Sequence, residues 1–251
     1  MAGIHRHVYL LARPRHLRIA TFQARTSITT PEKDTSTARL CVDITLKSET
    51  NLPRAAQSKS YLLTVSLHGP GLNQPMRLQQ PVDGTSLGDG RFSLEMDLKA
   101  TPVKVWRPSH PHLYTVVLSL SLAGECASTC VQAEACSVGF RRVRIGRVEA
   151  AGMEMLLLNE RRVQFRGANR HDHDPVLGDT VRHTPLSSSR PPIRHSFRAC
   201  VCVCSWAQVP VARMVTDCLM LKALRFNAVR CSHYPVSPVF YELCSRCGRA
   251  C

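Results

Sequence analysis

From about residue 38 the sequence alternates between apolar and polar side chains, and this period of two constrains the fold more than any other feature. Leu40, Val42, Ile44 and Leu46 are separated by polar neighbours, and so are Tyr61, Leu63, Val65 and Leu67. The pattern returns at Phe92, Leu94, Met96 and Leu98, and again at Tyr114, Val116, Leu118, Leu120 and Leu122, with Val138 and Phe140 opening a further apolar run. Successive side chains of a strand point to opposite faces, so each run presents one face to a core and the other to water. Turn-forming stretches punctuate the runs, among them His68-Gly-Pro-Gly71 and Asp83-Gly through Gly90. Short alternating strands with such punctuation predict an antiparallel β-sandwich, and no helical periodicity is visible between residues 38 and 146.

The character changes after Ile145. Met155 to Leu158 and Arg161 to Arg166 are expected to pair as a hairpin across Asn159-Glu160. Val163-Gln-Phe165-Arg-Gly167 then leads into the polar loop Asn169-Arg-His-Asp-His-Asp174. The segment Met214 to Leu224 reads as an amphipathic helix with Val215, Cys218, Leu219 and Lys222 on one stripe. Phe226 to Arg230 follows as a short strand, then the loop Cys231-Ser-His-Tyr-Pro235. A helix between two short strands is a βαβ unit, which implies parallel strands. Residues 182–213 contain five Arg and no Asp, Glu or Lys, together with Ser187-Ser-Ser189, Pro191-Pro192 and Cys200-Val-Cys202-Val-Cys204. A structureless connection of that length is foreign to a compact α/β unit, so the segment is expected to be a disordered insertion. Two parallel strands also leave open edges, which predicts poor order in the C-terminal third.

Charge and cysteine content narrow the functional classes. The net charge of +15 invites a nucleic-acid or anionic-membrane reading. Much of the excess, however, sits in residues 1–25 and 182–213, each with five Arg and no acid, so no nucleic-acid or membrane partner is expected. No apolar run approaches a membrane span. The apolar stretch Val8 to Ala12 is too short for a secretory leader, and a cytoplasmic location is expected. The 12 Cys include Cys244-Ser-Arg-Cys247, but no second pair at zinc-site spacing, and they read as thiols rather than a zinc site or disulfide framework.

Two loops, two sandwich segments and an N-terminal stretch carry a resemblance. Asn159-Glu-Arg-Arg-Val-Gln-Phe-Arg-Gly-Ala-Asn-Arg-His-Asp-His-Asp-Pro175 resembles the opening of the catalytic barrel in glycoside hydrolase family two, β-galactosidase type. Asn227-Ala-Val-Arg-Cys-Ser-His-Tyr-Pro235 resembles the first signature of that family. Trp106-Arg-Pro-Ser-His-Pro-His-Leu-Tyr114 and Glu134-Ala-Cys-Ser-Val-Gly-Phe-Arg141 resemble the closing segments of its immunoglobulin-like domain, and Gly3 through Leu11 resembles the exit strand of its sugar-binding domain. The implied domains are residues 1–24 as that exit strand, 25–146 as an immunoglobulin-like β-sandwich, and 147–251 as the start of a (β/α)8 barrel carrying the insertion 182–213. The fold class is therefore mainly β, a sandwich followed by the first two strand–helix units of an incomplete barrel.

The resemblance implies retaining cleavage of terminal β-galactosides. Active-site residues of a (β/α)8 barrel sit at the C-terminal ends of its strands, which is where both loops fall. Asn169, Arg170, His171, Arg230 and His233 are the residues implied to hold the galactosyl ring. No catalytic residue and no metal ligand are implied within the chain, although full-length family members often use magnesium and sodium and are often homo-oligomeric. Retention requires a carboxylic acid and a carboxylate nucleophile, and only Asp217 and Glu242 follow Asp179. Neither is placed at a strand end, so the 251 residues are expected to be inactive alone. Departures from the family pattern include Asp174 where a third His is usual and Ser245 where Asp or Asn is expected. Other readings are a non-catalytic sandwich acting as an interaction or carbohydrate-binding module, a metal pair at His171-Asp-His173, and a thiol nucleophile at Cys231 beside His233.

Overall fold

The computed structural model describes residues 11–48, 59–83, 90–123, 129–148, 152–173, 209–233 and 235–249. The chain divides into two compact units: one runs from Arg13 to Gln164, and the other is built from residue 165 onward together with residues 11–12.

Strands β1 (Arg18–Ile28), β2 (Thr35–Ser36), β3 (Ala38–Lys47), β4 (Ser60–His68), β5 (Met76–Asp83), β6 (Gly90–Asp97), β7 (Val103–Lys104), β8 (Tyr114–Leu122) and β9 (Thr129–Val138) build an antiparallel sandwich in the first unit. One sheet has the order β1-β3-β6 and the other β5-β4-β8-β9, with β2 and β7 paired beside them. The alternation read from the sequence is the inward face. Leu40, Val42, Ile44 and Leu46 of β3 share one core with Leu63, Val65 and Leu67 of β4 and Val116, Leu118 and Leu120 of β8. Each of these side chains is almost completely buried, which stabilises the fold by about 1.5–3 kcal/mol per fully buried aliphatic side chain.

Tyr114 anchors one end of the sandwich. Its hydroxyl donates to the Pro70 carbonyl and accepts from the Lys104 amide, both at 2.8 Å, and its ring meets Phe140 edge-on at 5.0 Å. A Cβ on Gly69 would stand 2.2 Å from the Tyr114 ring, so the turn after β4 admits only glycine there without moving the tyrosine.

The sandwich begins earlier than the sequence suggested. Residue 25 was the expected start, yet β1 runs from Arg18 and pairs antiparallel with β3, Arg18 opposite Lys47 and Ile28 opposite Ala38, with a register shift between Ile19 and Thr21. Its sparse apolar residues, Ile19, Phe22 and Ala24, give little alternation to read, but all three join the core. The first unit also extends past residue 146. β10 (Val143–Val148), β11 (Met153–Leu158) and β12 (Arg161–Arg162) form a small antiparallel sheet within it. The expected hairpin is there, turning on Asn159 and Glu160 with φ of 51° and 62°, the two consecutive positive values of a tight hairpin turn. Asn159 is buried, accepts from the Arg142 amide at 2.9 Å and donates to the Trp106 carbonyl at 2.9 Å, tying this sheet to the sandwich.

The second unit contains β13 (Gly167–His171), α1 (Val211–Ala223), β14 (Ala228–Ser232) and α2 (Pro238–Cys247). β13 and β14 pair in parallel, Asn169 opposite Arg230 and His171 opposite Ser232. This is the strand–helix–strand–helix succession expected from the sequence. Met214, Cys218, Val229, Phe240 and Cys244 give it a core of its own. The helix begins at Val211, three residues before its apolar stripe becomes legible, so the expected insertion ends before 211. Its remaining residues up to 208, and residues 1–10, lie outside the described residues.

Candidate functional site

The strand pair β13–β14 sorts the five sequence-predicted residues by the period of two. Parallel register puts Asn169 and Arg230 side by side on one face, followed by His171 and Ser232. Asn169, His171, Arg230 and His233 are exposed, and the His171 and His233 rings meet edge-to-face with centroids 5.3 Å apart. The structure therefore brings the two imidazoles together at the C-terminal ends of adjacent parallel strands. Close strand contact is needed for this, and Gly167 supplies it: a Cβ there would lie 2.6 Å from the Ala228 carbonyl oxygen.

Arg230 orders the second imidazole. Its Nη1 lies 3.3 Å from His233 Nδ1 and 3.4 Å from Ser232 Oγ. A guanidinium only donates, so Nδ1 is the acceptor and the ring proton resides on Nε2. His233 then offers an N–H donor on the side of the ring away from Arg230. Two imidazoles, a guanidinium and an amide at one rim can exchange hydrogen bonds with a ring of sugar hydroxyls, each of which donates and accepts.

Arg170 is different, and its implied sugar-holding role is corrected by its position in the strand. One residue out of step with Asn169 and His171, it points to the opposite face, toward the helices. Its side chain is 9% exposed; Nε donates to Asp217 Oδ2 at 2.8 Å and Nη1 to Asp172 Oδ1 at 3.1 Å. The guanidinium carbon sits 4.2 Å from the centre of the Phe240 ring. Burial works against the charge, but the hydrogen bonds that Arg170 donates to Asp217 and Asp172 outweigh it, and the net effect holds the Arg170 pKa above its ordinary value. The sequence reading missed this clamp, although the alternation that separates residue 170 from 169 and 171 was the signal for it.

The same geometry accounts for the carboxylates. Asp172 and Asp217 are bound to Arg170, and Glu242 on α2 pairs with Arg246 one turn away. Among the described residues no group of three or more His, Cys, Asp or Glu side chains is arranged to hold a metal ion. Cys231 faces the helix side with the apolar core, while His233 is exposed on the rim, so they do not form a nucleophile–base pair.

Comparison with known proteins gives this arrangement its family. The profile of glycosyl hydrolases family 2 matches residues 18–141, and that of the family 2 TIM barrel domain matches residues 206–250. Together they take in more than half of the chain, which belongs to glycosyl hydrolase family 2. A β-galactosidase of Erwinia tasmaniensis is 31% identical over 252 aligned positions; the alignment takes in 99% of this chain and 20% of that protein. The chain thus spans about a fifth of the length of this relative. Among solved structures, a Bifidobacterium dentium β-glucuronidase complexed with coumarin-3-O-glucuronide superposes with a TM-score of 0.62 at 19% identity, covering 94% of this chain and 30% of that one. A family 2 member from Bacteroides cellulosilyticus gives 0.61 at 20% identity, with coverages of 93% and 26%. These neighbours share the immunoglobulin-like sandwich and the opening of the barrel.

Proposed function

We propose that the rim of β13 and β14 is the sugar-holding part of a β-galactosidase-type O-glycosyl hydrolase, in which Asn169, His171, Arg230 and His233 orient the hydroxyls of a terminal galactosyl ring. The observation that carries this reading is the meeting of His171 and His233 at the strand ends, with Arg230 fixing the tautomer of the second ring. The identity to a β-galactosidase supports galactose over other sugars. Hydrogen bonds to ring hydroxyls accelerate glycoside cleavage when they strengthen as the ring flattens toward an oxocarbenium-like state. A rim of imidazoles suits that task.

Retaining hydrolysis also needs two carboxyl groups about 5 Å apart, one as acid and one as nucleophile. Asp172, Asp217 and Glu242 are each committed to an arginine. In this reading residues 1–251 position a galactoside and do not cleave it by themselves. Purified chain incubated with a chromogenic β-galactoside should release no chromophore above a heat-killed control, and turnover would refute that half of the proposal. Saturation-transfer NMR should detect millimolar galactose at the rim, with the signal lost in His171→Ala and His233→Ala. Equal signals from wild type and both variants, or a preference for glucuronate, would overturn the other half.

A further inference from the structure

Three cysteines meet under the rim, and the sugar-binding reading does not use them. Cys218 on α1 and Cys244 on α2 are fully buried in the core between the helices, and Cys247 packs against the same cluster while remaining partly exposed. Cys218 packs in one cluster with Cys244 and Cys247, and both act on its thiol. None of the three is in a disulfide. We propose that Cys218 and Cys247 form an oxidisable pair, a modification site at which a low-molecular-weight disulfide such as glutathione disulfide converts the two thiols into a bond stapling α1 to α2.

The geometry chooses the pair. Cys247 is the one thiol of the three that solvent reaches, so it is the one that can attack an external disulfide. Cys244 is sealed, and a Cys244–Cys247 bond would lie within α2 and join no second element, so a staple between the helices needs Cys218. Cys218 is the common neighbour. It also lies beside the Arg170 guanidinium. The hydrogen bond from Cys244, opposed by burial and assisted by that positive charge, lowers its thiol pKa, the direction that favours a resolving thiolate. Burial, followed by the nearby Cys218, pushes the Cys247 thiol up, so the first attack is the slow step.

The exchange balances in two steps. The Cys247 thiolate attacks one sulfur of glutathione disulfide, breaking its S–S bond, forming a mixed disulfide and releasing one glutathione thiolate. The Cys218 thiolate then attacks Cys247 Sγ, forming the protein disulfide and releasing the second glutathione. The two protein protons end on the two glutathiones; the protein dithiol is oxidised and the external disulfide reduced.

The test uses the whole chain in glutathione buffers of graded redox ratio, quenched by alkylation and mapped by peptide mass spectrometry without reduction. A Cys218–Cys247 cross-linked peptide is expected to rise with the disulfide fraction, together with about tenfold slower hydrogen exchange in α1 and α2. Cys247→Ser should abolish both effects, and Cys130→Ser, at an exposed thiol of the sandwich, should abolish neither. A stable mixed disulfide on Cys247, a bridge from Cys218 to Cys244, or no modification in the oxidising buffer would each overturn the proposal. Galactose binding is read separately, so failure of either proposal leaves the other standing.

Discussion

Replacing Arg170 by Met should loosen the second unit from within. The guanidinium joins three elements: Asp172 just after β13, Asp217 on α1, and the Phe240 ring on α2. Methionine fills part of the volume and takes the guanidinium away from Asp172 and from Asp217, which keeps Arg213 at 3.7 Å. Removing one partner of a buried ion pair costs about 3–5 kcal/mol, because the remaining charge stays desolvated. The two contacts are unequal. Asp172 is 2% exposed and Asp217 is 25% exposed, so water rescues Asp217 in part and the Asp172 contact dominates. Adding the lost contact with Phe240 and discounting Asp217, the expected loss is about 3 kcal/mol.

Native-state hydrogen exchange at the amides of Cys218 to Leu221 reads this locally, without requiring the two units to unfold together. A loss of about 3 kcal/mol corresponds to roughly a hundredfold faster exchange, at about 1.4 kcal/mol per decade. A second variant, Arg170→Met with Asp172→Asn, removes the stranded charge and should recover at least half of the loss in free energy. Unchanged exchange in Arg170→Met, or no recovery in the double variant, would show that the guanidinium does not hold α1 to β13.

Tyr114→Phe removes a hydroxyl that bonds the Pro70 carbonyl and the Lys104 amide, and should lower sandwich stability by about 1–3 kcal/mol in urea denaturation. Gly167→Ala should push β13 from β14 and erase the edge-to-face His171–His233 contact, seen as loss of galactose-induced shifts while the far-UV signal of the sandwich persists. His112 should titrate below the ordinary histidine range, because burial and then Lys104 and His110 disfavour its cation, against a weaker pull from Asp34. With a folded pKa below the unfolded value, the unfolded chain takes up the proton first. The contribution is therefore intact above about pH 6.5 and is lost as pH falls from there through the folded pKa. His112→Gln should flatten the stability profile in that window, and an unchanged profile would contradict the assignment.

The strands were legible where one face is dry and the other wet. β3, β4 and β8 show strict alternation because the sandwich buries every second residue. β1 was cut short in the sequence reading because its inward residues include Ala24 and its outward ones are Thr, Gln and Arg, a weak contrast. β10 escaped because Val143 and Ile145 are exposed in the folded unit, so hydrophobicity there does not report burial. The rim was legible through two short loops whose meaning came from resemblance rather than from spacing. The environment of Arg170 required three-dimensional knowledge of α1 and α2, since neither Asp217 nor Phe240 is near it in sequence.

The two faces of β13 make a separable prediction. His171 and Arg170 are adjacent in sequence yet point to opposite sides, one toward the rim and one toward the helices. If the rim binds sugar and the helix side only supports it, His171→Ala should abolish galactose binding and leave exchange in α1 unchanged. Arg170→Met should do the reverse: faster exchange in α1, but binding that survives in proportion to the folded fraction. The disulfide proposal adds a cross-check, because stapling α1 to α2 acts on the same supporting face. Oxidation of Cys218 and Cys247 should therefore restore part of the protection lost in Arg170→Met and return nothing to His171→Ala. Should the staple instead rescue sugar binding in His171→Ala, the division between a binding face and a supporting face would be wrong, and the imidazole would have to act through the core.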